Sequence, residues 1–199
     1  IKASAIKAVQ DNYSKYPPIA GFQDLKEAIV NKFEKENNIC YTPSQIVVST
    51  GAKQSLANVI LSLINPGDEV LLPTPYWVSY IEQVKLAGGI PVEIPTSIES
   101  NFKITPSQLK QAITEKSKLI VYSSPCNPSG SVYSKDELIA LSKVILSKEG
   151  LFVLADEIYE FINFTGKPHT SIASISKEIW ERTITVNGIA KGFAMTGYR

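Results

Sequence analysis

Apolar positions along the chain follow two patterns that take turns. Short runs of aliphatic and β-branched residues, closed by proline, glycine or a polar pair, alternate with longer stretches whose apolar residues recur every three or four positions. The short runs predict strands at residues 45–49, 69–72, 91–94, 118–123, 151–155 and 182–186. The longer stretches predict helices over residues 1–13, from residue 23 onward, and over 53–64, 77–86, 107–114 and 134–147. In the second helix Leu25, Ala28, Ile29 and Phe33 share one face. Thr105 reads as an N-cap with Pro106 in the first helical position. Asp136 and Glu137 place negative charge in the first turn of the last helix, where the helix dipole favours it. Residues 163–177 show no period and are expected to form a surface loop.

Strands alternating with helices of this length predict an α/β fold: a mostly parallel sheet covered by helices on both faces. The run Leu151, Phe152, Val153, Leu154, Ala155 has no polar member, as expected of a strand buried on both sides. Residues 1–40 read as a helical segment leading into the α/β unit, which occupies 41–199. In open parallel sheets ligands bind beyond the carboxyl ends of the strands. The turn-forming and polar residues collect there: Thr50-Gly51, Thr74-Pro75-Tyr76-Trp77, Asn127-Pro128, Asp156 with Tyr159, and Asn187-Gly188 leading to Lys191.

Composition narrows the function. Twenty basic and nineteen acidic residues leave a formal charge of +1, which argues against a general nucleic-acid binder or a polybasic membrane-surface protein. No apolar run approaches the ~20 residues that span a bilayer, and no secretory leader is evident. The first residue is Ile1 rather than Met, so the translated start is expected to lie upstream. Two cysteines, Cys40 and Cys126, make no disulfide framework and point to a reducing cytoplasm. A single histidine, His169, and two distant cysteines predict no metal cluster. The glycine fingerprint of a dinucleotide site and the Gly-x-Ser-x-Gly elbow of a serine hydrolase are both missing.

Two residues carry possible chemistry on local grounds. Asp156 stands where an apolar strand leaves the core, and a carboxylate there is costly unless it is paired. It reads either as a turn cap or as a charge holding a bound cation or a protonated heterocycle. Lys191 has small or apolar neighbours, Gly188-Ile189-Ala190 and Gly192-Phe193-Ala194-Met195. It reads either as a surface lysine or as a desolvated amine nucleophile.

Taken in order, Asn127-Pro128-Ser129-Gly130, Asp156-Glu157-Ile158-Tyr159 and Lys191 with Met195-Thr196-Gly197-Tyr198-Arg199 resemble the fold-type I pyridoxal-phosphate aminotransferases. Gly51-Ala52-Lys53-Gln54, Pro75-Tyr76-Trp77-Val78-Ser79-Tyr80 and Tyr16 with Gly21 and Leu25 are similar to the aspartate aminotransferase group, its bacterial branch in particular. The resemblance implies a three-layer large domain and transamination between an L-amino acid, aspartate first, and a 2-oxo acid such as 2-oxoglutarate. It implies that Lys191 holds pyridoxal 5'-phosphate and moves a proton at the substrate Cα. By the same resemblance Asp156 pairs with the pyridine nitrogen, Asn127 and Tyr159 bind the phenolic oxygen, and Trp77 stacks on the ring and, with Asn127, borders the substrate. The helix start at Ala52 and Lys53, with Gly51 before it, supplies free amides for the phosphate. Arg199 is implied as a phosphate ligand and Tyr16 as one donated by the partner subunit of a homodimer. The Lys53 side chain is a candidate for the distal carboxylate of an acidic substrate.

Departures from the family pattern are Cys126 and Ser129 in the Asn-Pro motif, and Gly188 where many relatives carry a phosphate-binding serine. The bonds Thr74-Pro75 and Asn127-Pro128 are expected to be cis. The chain is about half the family length, so it is expected to be a large-domain piece lacking its last sheet strand and the small domain, and to be inactive alone. The rival readings are a relative of the same fold acting on aromatic or neutral amino acids, a C–S lyase, and a non-catalytic binding module.

Overall fold

The protein is described here over residues 1–198 by a computed structural model. Its centre is an all-parallel sheet of five strands among the described residues: β1 (Glu69–Pro73), β2 (Ile90–Ile94), β3 (Ser117–Ser123), β4 (Phe152–Asp156) and β5 (Thr183–Val186). The spatial order is β2-β1-β3-β4-β5. The helices are α1 (Lys2–Gln10), α2 (Gln23–Asn37), α3 (Ala52–Leu63), α4 (Ser79–Leu86), α5 (Pro106–Ala112), α6 (Lys135–Ser147), α7 (Lys177–Trp180) and α8 (Ile189–Gly192). None is long and apolar enough to cross a membrane.

The period of two along each strand divides its side chains between two cores. Val70 and Leu72, Leu119 and Val121, and Leu154 pack with Leu56 and Ile60 of α3 and Tyr80 and Val84 of α4. Their neighbours Leu71, Ile120, Val153 and Ala155 face the other way, against Leu109 of α5, Leu138, Leu141 and Ile145 of α6, and Ile179 of α7. The result is the expected three-layer arrangement. Local signals agree with it: Thr105 and Ser134 each accept from the amide three residues on, and Gln108 and Glu137 reach back to the cap amides.

Three expectations need correction. Residues 45–49 do not join the sheet; Ile46 is extended, but the Val48 amide donates to Ala20 O at 3.1 Å. The β-branched run therefore lines a small satellite core of Phe33, Ile39, Ile46 and Ala173. The helix expected from Trp77 begins at Ser79, after a turn in which the Tyr80 amide donates to Trp77 O. The loop expected over 163–177 is not all surface: Ser171, Ile172 and Ala173 are buried, the last two in a 3₁₀ turn.

The chain runs from β1 outward to β2, then returns across β1 to β3 and grows toward β5. Connections on the two sides of the β1–β3 pair therefore diverge at their carboxyl ends, leaving a crevice there. Segment 74–77 leaves β1 and segment 124–128 leaves β3 at that crevice.

Helix α2 is tied to the segment after β4. The Glu160 carboxylate, almost fully buried, takes hydrogen bonds from the Lys32 ammonium and from Asn37 Nδ2, the latter at 2.7 Å. Removing the cation leaves a buried charge under-compensated. Lys32→Met is expected to destabilise the protein by about 3 kcal/mol, and adding Glu160→Gln should recover part of that loss. Urea midpoints at constant slope test it; equal midpoints for wild type and Lys32→Met would refute the tie.

Candidate active site

Asp156 closes β4. Strand parity puts it on the same side as Leu154, facing α4, while the next residue, Glu157, takes the opposite side with Ala155. Asp156 is 4% exposed. Tyr80 Oη donates to its Oδ2 at 2.6 Å, and the Ile158 amide donates to Oδ1 at 3.2 Å. Burial holds the carboxyl above its ordinary range. The Tyr80 and Ile158 hydrogen bonds pull it back, the Glu157 charge pushes it up and the Lys191 charge pulls it down.

Lys191 lies in the single turn of α8, beyond β5. It is half-buried, with Nζ 5.6 Å from the centroid of the Tyr159 ring. The β5–α8 link passes close to the segment after β4: a Cβ at Gly188 would lie 3.0 Å from Ile158 Cδ1. A side chain at this position would need the end of the Ile158 side chain to give by a few tenths of an ångström.

The third part is the start of α3. Gly51 sits at φ +90°, a conformation that L side chains rarely adopt, and turns the chain into the helix. The Ala52 and Lys53 amides open the helix and find no acceptor among the described residues. Lys53 Nζ stands 4.9 Å from the Trp77 ring centroid. Trp77 meets Tyr80 edge-on, with centroids 5.7 Å apart at 89°. Contacts thus run without a break from Lys53 through Trp77 and Tyr80 to Asp156, and charge interaction continues to Lys191. Asn127 is half-buried at the end of the β3 crossover. The bonds Thr74-Pro75 and Asn127-Pro128 are cis as expected, and Ser124-Pro125 is a third.

These donors suit a phosphorylated, protonated heterocycle. The Asp156 oxygens each accept one hydrogen bond and keep a lone pair for another. The free amides of α3 suit a dianion. Of the other sequence-derived candidates, Tyr16 is fully exposed in the segment between α1 and α2; Arg199 lies outside the described residues.

Two features escaped the sequence reading. One is Tyr80, which the sequence placed in the Pro75–Tyr80 motif without a role and which the structure sets in the first turn of α4, opposite Asp156. The other is a gathering of Glu157, Glu160 and His169, whose ligand-type atoms all lie within 4.8 Å of one another. No metal-type cluster was expected, because His169 falls in an aperiodic loop. His169 Nε2 is 3.2 Å from a Glu157 oxygen, an ion-pair separation without hydrogen-bond geometry. The cation that serves this gathering is Lys32, already seated on Glu160 with Asn37.

Because Asp156 binds its proton more tightly folded than unfolded, it favours folding below the ordinary carboxylate range, and that contribution is lost as pH rises through its raised value. Asp156→Asn should therefore raise the Tm of the cofactor-free protein at pH 8, with the gain shrinking below about pH 4. Calorimetry across this range checks it; a lower Tm at pH 8 would contradict the assignment of strain to this carboxylate.

The family described as Aminotransferase class I and II matches residues 1–199. An aspartate aminotransferase of Bacillus sp. (strain YM-2) is 47% identical over 199 residues, 100% of this chain and 50% of that protein. The crystal structure of the aspartate aminotransferase from Rhizobium meliloti matches with a TM-score of 0.97 at 39% identity, over 100% of this chain and 50% of that one. The aromatic aminotransferase of Pyrococcus horikoshii OT3 matches at 0.95 with 40% identity, over 100% and 52% respectively. The chain thus spans about half the length of the relatives it matches. A family match over the whole sequence and the shared fold lead to one conclusion: the chain belongs to the class I and II aminotransferases.

Proposed function

We propose that this chain forms the cofactor-binding part of a pyridoxal-phosphate-dependent aminotransferase exchanging an amino group between aspartate and a 2-oxo acid such as 2-oxoglutarate. The observation that carries the reading is the buried Asp156 carboxylate facing the same site as Lys191, with the Lys53 side chain at the start of α3 linked to it through Trp77 and Tyr80. Residues 41–199 supply that site, and residues 1–40 lead into it. When bound, pyridoxal 5'-phosphate supplies the electron sink that makes the substrate Cα–H acidic.

The chain's own residues do the rest. Asp156 holds a proton on the ring nitrogen by offering a fixed negative charge. Lys191 Nζ anchors the cofactor between turnovers and carries the proton taken from the substrate Cα. The Asn127 amide and Tyr159 hydroxyl donate to the ring oxygen. Trp77 covers one face of the ring and, with Asn127, borders the substrate. The Ala52 and Lys53 amides bind the phosphate, which Gly51 lets approach closely, and Arg199 serves the same group. Tyr16 reaches the site of a second subunit in a homodimer. Its full exposure, together with that of Ile19, supports this placement. The two free thiols, Cys40 and Cys126, support a reducing, cytoplasmic setting.

A second reading is favoured by the likeness to the aromatic aminotransferase of Pyrococcus horikoshii, nearly as strong as that to the aspartate enzymes. The Lys53 ammonium, exposed beside Trp77, favours an acidic substrate instead.

In the full-length polypeptide, borohydride reduction after pyridoxal phosphate loading should put the cofactor's mass on the Lys191 peptide alone, and Lys191→Ala should abolish the adduct. Labelling spread over other lysines would overturn the assignment. Lys53→Met keeps the backbone amide, so cofactor affinity should hold. The kcat/KM for aspartate should fall roughly 10- to 100-fold, as for one lost charged contact, while that for phenylalanine should not. Equal losses for both would favour the aromatic reading.

A further inference from the structure

We propose that Tyr80 is a positioning residue: its hydroxyl fixes the Asp156 carboxylate as an acceptor for the cofactor's ring N–H and couples it to the aromatic wall at Trp77. The proposal rests on the assignment of Asp156 to the ring nitrogen.

The contact is short and dry. Tyr80 is 1% exposed, and its Oη lies 2.6 Å from Asp156 Oδ2. Burial, then the Asp156 charge, push the Tyr80 phenol far above its ordinary range, so it stays protonated and donates. With the Ile158 amide on Oδ1, each carboxylate oxygen has one fixed donor, which sets the plane of the group. Tyr80 itself is held on three counts. Its ring meets Trp77 edge-on and lies 6.4 Å from the Tyr76 ring at 30°. Its amide donates to Trp77 O at 3.0 Å. A shift of Trp77 is therefore passed through one rigid side chain to the carboxylate.

The sign of the effect follows from the balance on Asp156. Burial favours its neutral form, and among the opposing influences the Tyr80 hydrogen bond is the strongest. Glu157 adds to the side of burial, and Lys191 opposes it. Without the hydroxyl the carboxylate holds a proton more readily. A protonated Asp156 has no charge with which to keep the ring nitrogen protonated.

Tyr80→Phe removes the donor and keeps the ring. The full-length protein would be loaded with pyridoxal 5'-phosphate labelled with ¹⁵N in the ring, and the nitrogen shift read by NMR. Wild type should show the pyridinium value. Tyr80→Phe should move it toward that of neutral pyridine, weaken cofactor binding about tenfold, as for one hydrogen bond to a charged group, and lower kcat more than it raises KM. In an Asp156→Asn background the same substitution should change the nitrogen shift no further, and this double-mutant comparison serves if Tyr80→Phe alone folds poorly. A Tyr80→Phe protein with unchanged nitrogen shift and only a lower Tm would reduce Tyr80 to packing and sink the proposal. A wild type that binds no cofactor would instead overturn the underlying assignment, and the proposal with it.

Discussion

Burying the carboxylate of Asp156 at the end of an apolar strand raises the energy of its charged form, and the surrounding site is organised around offsetting that cost. The Tyr80 hydroxyl and the Ile158 amide each give it a hydrogen bond, and Lys191 adds a positive charge from α8. A group poised this way favours a cationic ring beside it, because such a partner relieves the desolvation that burial imposes.

Strand parity decides what each neighbouring acid can do. Asp156 and Glu157 are adjacent in sequence but on opposite faces of the sheet. Asp156 meets Tyr80 under α4, whereas Glu157 is 0% exposed on the far side beside His169, with no hydrogen bond to its oxygens from the described residues. One further turn along, Glu160 is satisfied by Lys32 and Asn37 of α2. The carboxylates at and after the end of β4 thus part ways: Asp156 is held by Tyr80, and Glu160 holds α2 to the segment after the strand.

The topology explains why groups so distant in sequence converge. Loops leaving β1, β3, β4 and β5 all emerge at the same edge of a parallel sheet, and the crossover between β2 and β3 opens a crevice there. Helix α3 packs on the face that Asp156 shares, and the Lys53 ammonium at its start meets the Trp77 ring, which in turn meets Tyr80. Besides the turn at Gly51, the loops that leave β1 and β3 at this edge carry three cis X-Pro bonds.

The sequence by itself determined the layer order of the fold, because apolar runs closed by turn residues, alternating with helical periods, have one stable arrangement: a covered parallel sheet. It also marked Asp156, Tyr159, Asn127, Lys191 and the α3 start as strand-end residues. It misjudged residues 45–49, because β-branched residues signal extended backbone equally well when the partner is a loop carbonyl as when it is a strand. Tyr80 and the Glu157–Glu160–His169 gathering were decided only by tertiary structure. Which hydroxyl meets which carboxylate depends on how α4 lies across β4, and which acid is left with a histidine depends on how an aperiodic loop returns to the sheet. Periodicity reports which face of its own element a residue occupies, and it carries no information about what another element places opposite.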